Sequence, residues 1–148
     1  MKITIDPGSE GTGYAIWTDS WKLWKHGVFE ANLPYWELKC NNIIVELMNT
    51  VRYFNVSQAY IEIPAFHQSP GGMTVARSGS LVKLTLLVGR IQQVLSAIEV
   101  YPVTVQEWKG QLPKAVVIER IKKIIPNCKA TTHDWDAIGI GLYKSGRL

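Results

Sequence analysis

The segment ITIDPGSEGTGYAIW, residues 3–17, most constrains the fold, because two apolar stretches lie on either side of a glycine-rich Pro-Gly turn. Alternating apolar residues are typical of β-strands, and a short turn of this composition joins antiparallel neighbours. We therefore predict strands at 2–6 and 13–17, extended by a third antiparallel strand at 21–29. The first strand ends in a carboxylate, Asp6, where a buried strand ordinarily has an apolar side chain.

Beyond these strands the hydrophobic period changes from two residues to three or four, which predicts helices. The predicted elements are a helix from Pro34 to Phe54, a strand QAYIEI, a helix from Ser78 to Ile98, a strand from Glu99 to Val103, a helix from Pro113 with Val117, Ile121 and Ile124 inward, and a final helix in THDWDAIGIGLYKSGRL. The order β-β-β-α-β-α-β-α-α predicts an α/β fold of the ribonuclease H type. Its five-stranded mixed sheet would have three antiparallel strands followed by two parallel strands, flanked by helices, in one domain spanning 1–148.

Composition excludes several classes of protein. No apolar run approaches the ~20 residues that span a bilayer, and MKITID has no signal-peptide core, so we expect no membrane segment and a cytoplasmic location, in the host if the chain is phage-encoded. Cys40 and Cys128 form no CxxC pair and are expected to be reduced thiols. Lys and Arg outnumber Asp and Glu by 16 to 12, which favours a polyanionic partner.

Acidic residues end two of the predicted strands, and a third lies in the final helix. Asp6 and Glu62 follow strands expected to be neighbours, and functional groups in open α/β sheets gather beyond the carboxyl ends of strands. Asp136 lies three residues after His133, so the two side chains point to one side of a helix, about 60° apart. Carboxylates this close repel one another unless a cation neutralises them, and oxygen ligands with one imidazole suit Mg²⁺ or Mn²⁺. The pattern predicts a site for two such ions, bridged by Asp6, that hydrolyses phosphodiesters.

Residues near these acids are expected to support the site or the fold. Gly8, Gly11 and Gly13 would keep the turn after Asp6 thin enough for a phosphate backbone to approach. Asp134 would be the third residue of a helix capped by Thr131, where an acid satisfies backbone amides, so we expect it to have a structural role. The remaining aromatic and imidazole side chains are expected to pack or to stay outside the site: Trp108, Trp135, His26 and His67.

Five motifs follow one another along the chain: IDPGSEGTGYAIW, IEIP, the helix from Ser78, WKGQLPK and HDWDAIGIGLY. Together they resemble the RuvC-type Holliday junction resolvases of the ribonuclease H-like superfamily, in particular the short phage kind. The resemblance covers essentially the whole chain and implies a single RuvC-like nuclease domain. The chain departs from the family at His133, where many bacterial members have Asp, and at its loop aromatic, which lies four residues after Glu62 instead of three.

The resemblance also implies a role for each residue of the site. Four residues match a metal-binding quartet: Asp6, Glu62, His133 and Asp136. Two lysines expected at helix starts, Lys109 and Lys114, match lysines that lie near the scissile phosphate and contact DNA. Phe66 matches an aromatic that probes bases at the junction centre, and Arg77 would be a further DNA contact.

The expected function is that of a metal-dependent, structure-selective DNA endonuclease that resolves Holliday junctions and other branched DNA by paired phosphodiester hydrolysis. It would act as a homodimer, using Mg²⁺ or Mn²⁺, two ions per site, and no organic cofactor. A second apolar stripe on the helix from Ser78, made of Val82, Leu86 and Gly89, would contact the partner subunit. Two alternatives stay open: an RNase-type RNA-processing nuclease of the same fold, which would recognise 2′-hydroxyls, and a non-catalytic junction-binding module.

Overall fold

A computed structural model of the chain describes residues 1–8, 10–30, 32–64 and 79–148. Within these ranges the strands are β1 Lys2–Asp6, β2 Gly11–Trp17, β3 Leu23–Glu30, β4 Gln58–Ile63 and β5 Glu99–Thr104. The helices are α1 Trp36–Tyr53, α2 Ser80–Val94, α3 Val105–Trp108, α4 Lys114–Ile124 and α5 Thr132–Lys144. The strands form one sheet in the order β3-β2-β1-β4-β5. β1, β2 and β3 pair antiparallel, whereas β1 with β4 and β4 with β5 pair parallel, so the predicted α/β mixed sheet is confirmed.

Each face of the sheet has its own apolar core, because successive side chains of a strand point to opposite faces. On β1, Ile3 and Ile5 are fully buried in the core beneath α1 and α2. Thr4 points to the opposite face, where its hydroxyl donates to the backbone oxygen of Ala137 in α5 at 2.7 Å. The core on that face joins β2 and β5 to α3, α4 and α5. The alternation places the next side chain of β1, Asp6, on the same face as α5.

Two glycines of the GIG sequence allow α5 to lie directly against indole rings. A Cβ on Gly139 would lie 2.4 Å from the ring of Trp108, and one on Gly141 would lie 2.2 Å from the ring of Trp17. Any larger residue would therefore push the helix away from the sheet. The close approach fixes α5, which carries two of the predicted site residues, on the face to which Asp6 points.

The bounds of several elements differ from those predicted. α1 begins at Trp36 with Tyr35 as its N-cap, so Pro34 precedes the cap. α2 ends at Val94, because Leu95 to Ile98 form the turn that leads into β5. The short helix α3 was not expected. Ile124 is 36% exposed at the end of α4, so its predicted inward orientation is wrong. Among the described residues, no helix combines the length and the apolar character needed to cross a membrane.

Candidate active site

The register of the parallel strands brings two carboxylates to one edge of the sheet. Ile5 of β1 pairs with Ile61 of β4, so the next residues, Asp6 and Glu62, are neighbours at the carboxyl ends of their strands. Both side chains point to the face covered by α5, because each follows a residue buried on the other face. The sequence-based prediction that these strand ends meet is thus supported by the pairing.

Asp6 is buried, with 7% of its surface exposed, and its Oδ2 lies 3.2 Å from Nδ1 of His133 at the start of α5. Burial raises the pKa of the Asp6 carboxyl, and its hydrogen bond with His133 opposes part of this shift. The same hydrogen bond raises the pKa of the His133 imidazole, although partial burial acts against it. The hydrogen bond thus favours the charged forms of both groups, whereas burial disfavours them and is the larger effect at Asp6.

The carboxyl of Glu62, like that of Asp6, has a raised pKa. Burial, followed by the nearby charge of Asp6, raises its pKa to about 7. The indole Nε1 of Trp108 donates a hydrogen bond of 2.7 Å to Oε2 of Glu62 and partly opposes that rise. The raised pKa thus makes Glu62 easier to protonate near neutral pH than an ordinary glutamate when no cation is bound.

Trp108 takes part in the site, whereas the sequence interpretation favoured a packing role over a supporting role at the site. Its ring does pack, against Gly139 of α5, but its Nε1 also holds Glu62. A buried indole N–H ordinarily has an acceptor, and this rule was the signal available in the sequence. In a chain with six tryptophans, however, the rule does not identify which carboxylate accepts.

The two predicted lysines lie beside the acids. Lys114, the first residue of α4, forms an ion pair with Asp136 of α5. Lys109 is the C-cap of α3, so its expected position at a helix start is wrong, and the helix dipole there favours a cation. The charge of Lys109 lowers the pKa of Glu62, and its Nζ lies 5.8 Å from the centre of the Trp108 ring. Each ammonium group therefore interacts with one carboxylate of the site, Lys114 with Asp136 and Lys109 with Glu62.

Asp134, next to His133 in sequence, has the structural position expected of it. Its Oδ1 accepts hydrogen bonds from the backbone N–H and the hydroxyl of Thr131, which forms the predicted cap. Its Oδ2 accepts from Nδ1 of His26 on β3 at 2.7 Å. His26 had been given no role, and its contact with Asp134 is a second interaction that the sequence interpretation missed.

The glycines after β1 make room for α5. A Cβ on Gly13 would lie 2.1 Å from the backbone oxygen of His133, and one on Gly8 would lie 3.1 Å from Cε1 of the same residue. A Cβ on Gly11 would lie 2.9 Å from the side chain of Val28. These close contacts explain the three glycines through packing within the chain. The approach of a phosphate backbone at this turn stays a prediction.

The donor atoms of the site are of the kind that binds a divalent cation, although the candidate ligands do not converge on one point. Within the described ranges, no three His, Cys, Asp or Glu side chains have the geometry of a metal site. The charges of Asp6 and Asp136 nevertheless raise the pKa of Glu62, and a cation would relieve that repulsion. Carboxylate oxygens with one imidazole fit Mg²⁺ or Mn²⁺. The assignment of Asp6, Glu62, His133 and Asp136 as ligands remains a prediction, and Phe66 and Arg77 lie outside the described residues.

At the level of sequence, no protein-family profile and no curated protein matches the chain. Solved structures do match it. Thermus thermophilus RuvC, solved in complex with a Holliday junction substrate, has a TM-score of 0.74 and 16% identity over 96% of this chain and 90% of that one. Fowlpox virus resolvase, solved with substrate Holliday junction DNA, has a TM-score of 0.61 and 14% identity, with both chains covered completely. The yeast mitochondrial Holliday junction resolvase Ydc2 has a TM-score of 0.64 and 12% identity over 99% of this chain and 78% of that one.

These likenesses show the fold of the chain. The chain shares the fold of these Holliday junction resolvases, the ribonuclease H-like fold that the five motifs implied.

Proposed function

We propose that the chain is a metal-dependent, structure-selective endonuclease that resolves four-way DNA junctions by paired phosphodiester hydrolysis. The observation that carries the proposal is the pair of acids at the ends of β1 and β4, the buried Asp6 and the half-buried Glu62, where the pKa of Glu62 is raised to about 7 beside two lysines. A raised pKa at a site of clustered charges is typical of catalytic positions. The fold supports the same function, because three proteins that share it are resolvases and two of them were solved with junction DNA.

The residues that would hold the cations are Asp6, Glu62, His133 and Asp136. When bound, two Mg²⁺ or Mn²⁺ ions would activate a water and neutralise the charge that develops on the scissile phosphate. The chain's own contribution is to position the ligands: Trp108 orients the carboxyl of Glu62, and Lys114 is paired with Asp136. Lys114 would have to release Asp136 for this carboxylate to act as a ligand, and its ammonium group would then be available to a DNA phosphate.

A homodimer would place two such sites on opposite strands of a junction. Val82 and Leu86 of α2 are 59% and 54% exposed, although α2 buries Leu87, Val88 and Ile91 on its other side. A Cβ added to Gly89 would meet no atom within 4 Å, so another backbone could approach α2 closely there. We propose that this second stripe, Val82, Leu86 and Gly89, is the contact with the partner subunit.

A single substitution tests the homodimer. Leu86→Glu introduces a charge into the proposed contact and should convert a dimer into a monomer in sedimentation velocity runs. Val116→Glu, at a position of α4 that is 41% exposed, is the matched control and should leave the dimer intact. If the unmodified protein sediments as a monomer under cleaving conditions, α2 is not a subunit contact.

The decisive assay is cleavage of a synthetic mobile four-way DNA junction in Mg²⁺ or Mn²⁺, with linear duplex DNA and structured RNA as competing substrates. We expect paired nicks in the junction, little cleavage of the duplex, and no product with Asp6→Asn. Cleavage confined to RNA would favour the RNA-processing nuclease. Tight junction binding without nicking in either metal would favour the non-catalytic binding module.

A further inference from the structure

A chain of three side chains connects the edge strand β3 to the start of α5. Nδ1 of His26 lies 2.7 Å from Oδ2 of Asp134, and Nε2 of the same imidazole lies 3.4 Å from Sγ of Cys128. Asp134 is 3% exposed, and its other oxygen accepts from Thr131. Since a carboxylate only accepts, Nδ1 carries a proton, and in a neutral imidazole Nε2 then accepts from the thiol of Cys128. His26 is therefore the partner of a buried charge.

The first turn of α5 is held at both of its edges. Asp134 lies between the candidate ligands His133 and Asp136 in sequence and shares this turn with them. Toward β2, the backbone oxygen of His133 occupies the position that a Cβ on Gly13 would take. Toward β3, the turn is fixed by the hydrogen bond between Nδ1 of His26 and Oδ2 of Asp134. A shift of this turn would move the imidazole of His133 and the carboxylate of Asp136 together.

We propose that His26 is a positioning residue for the candidate active site, acting through Asp134 to set the orientation of the first turn of α5 and so of His133 and Asp136. His26 contacts none of the proposed metal ligands in the described hydrogen bonds, and it lies on a different element from all of them. Its role resembles that of outer hydrogen-bond partners that orient ligand side chains and commonly change metal affinity or rate by about 10- to 100-fold when removed. The inference rests on the proposed nuclease function only for its effect on rate.

Two substitutions separate positioning from packing. In His26→Asn the amide nitrogen can take the place of Nδ1 and still donate to Asp134, whereas His26→Leu fills a similar volume without a donor. We expect His26→Leu to lower the cleavage rate constant by about 10- to 100-fold with little change in junction affinity. His26→Asn should restore most of the rate. Cys128→Ala, which leaves the pair of His26 and Asp134 intact, is the matched control and should cleave at the rate of the unmodified protein.

A measurement without metal, DNA or turnover tests the geometry directly. Cε1 of His133 lies 3.1 Å from the point where a Cβ on Gly8 would be, a point that one Gly8 Hα faces. A nuclear Overhauser contact between His133 Hε1 and Gly8 Hα should therefore be present in the unmodified protein and readily assigned, since the chain has three histidines. We expect the contact to persist in His26→Asn and Cys128→Ala and to be lost in His26→Leu, measured well below the unfolding temperature of each variant.

The two readouts distinguish the failure of this proposal from the failure of the proposed function. If His26→Leu unfolds at a lower temperature but keeps both the Overhauser contact and the cleavage rate, His26 serves stability alone and the proposal is wrong. If the contact is lost as expected while no variant, including the unmodified protein, cleaves a junction, the positioning role stands and the nuclease function fails. If His26→Asn, which keeps a donor to Asp134, loses the contact as His26→Leu does, the hydrogen bond to Asp134 does not set the turn and the proposal is also wrong.

Discussion

Buried carboxylates occur in two neighbouring regions of this molecule and are stabilised in different ways. At the start of α5, donors from Thr131 and His26 satisfy both oxygens of Asp134. At the ends of β1 and β4, the pKa values of Asp6 and Glu62 are both raised, with burial as the largest cause. One region thus satisfies its buried carboxylate with hydrogen bonds from within the chain, whereas in the other burial outweighs the hydrogen bonds that the carboxylates accept.

The difference helps to separate a structural acid from a functional one. An uncompensated buried carboxylate destabilises the folded state, so a protein retains it where a ligand or a reaction requires it. A carboxylate whose two oxygens both accept hydrogen bonds from within the chain has less capacity left for a cation. Proximity in sequence does not reveal the distinction, since Asp134 lies directly after His133 and two residues before Asp136.

The largest expected effect concerns the uncompensated region. Asp6→Asn and Glu62→Gln should each abolish junction cleavage, because each removes a proposed metal ligand. Junction binding should be retained, because it depends mainly on phosphate contacts and so should weaken with a log–log slope near −0.9 for each phosphate neutralised. The measurement pairs a cleavage time course with a binding titration at several salt concentrations. Appreciable Mg²⁺-dependent turnover by either variant would remove that residue from the site.

A smaller effect distinguishes the adjacent residues His133 and Asp134. His133→Ala should lower the cleavage rate by about two orders of magnitude or more, the scale of a lost acid–base or electrostatic group. His133→Asp should recover part of that rate with a changed metal preference, because a carboxylate can also bind the cation.

Asp134→Asn should keep most of the activity. Its amide oxygen can still accept from His26, and its amide nitrogen can donate to the hydroxyl of Thr131, but the backbone N–H of Thr131 loses its acceptor. Loss of the charge should lower the free energy of unfolding by about 1–3 kcal/mol, because hydrogen bonds to charged groups are stronger than neutral ones. Denaturant unfolding measures this loss. An active His133→Ala beside an inactive but folded Asp134→Asn would reverse the comparison and make Asp134 the functional acid.

The sheet and the proximity of Asp6 and Glu62 could be predicted from the sequence, because both follow from patterns within short segments. Alternating apolar residues define each strand, and the rule for parallel strands places their carboxyl ends at one edge. The spacing of His133 and Asp136 was accessible in the same way, since residues three apart share a helix face. Such features depend on short segments, and the periodicity of those segments is visible in the sequence.

The partners of these side chains could not be predicted, because they depend on contacts between distant segments. His26 and Asp134 are 108 positions apart, and Trp108 and Glu62 are 46 apart. No periodicity connects such pairs, and their geometry is set by how closely α5 and α3 approach the sheet. The end of α2 was missed for a related reason: its apolar spacing continues to Ile98, but the chain must turn after Val94 to begin β5.

A further expected effect on stability tests whether Glu62 is uncompensated. Its pKa is about 7 in the folded chain against an ordinary value of 4.5, so between these two pH values the folded state binds more protons than the unfolded state. Stability therefore falls as the pH rises from 4.5 through 7. Glu62→Gln removes the titration while its amide oxygen can still accept from Trp108. The variant should be more stable than the unmodified protein at pH 8, by up to about 3 kcal/mol, and equally stable near pH 4.

Chemical denaturation across this pH range measures the difference, with Glu99→Gln on β5 as the control. The pKa of Glu99 is lowered by hydrogen bonds from Gln58 and Tyr101, so its replacement should give no stabilisation at pH 8. Added Mg²⁺ should stabilise the unmodified protein at pH 8 and reduce the advantage of Glu62→Gln, because a ligand that binds only the folded state stabilises it by mass action. If the stability advantage of Glu62→Gln over the unmodified protein is no larger at pH 8 than at pH 4, the chain already compensates the charge of Glu62. The contrast with Asp134 would then be lost.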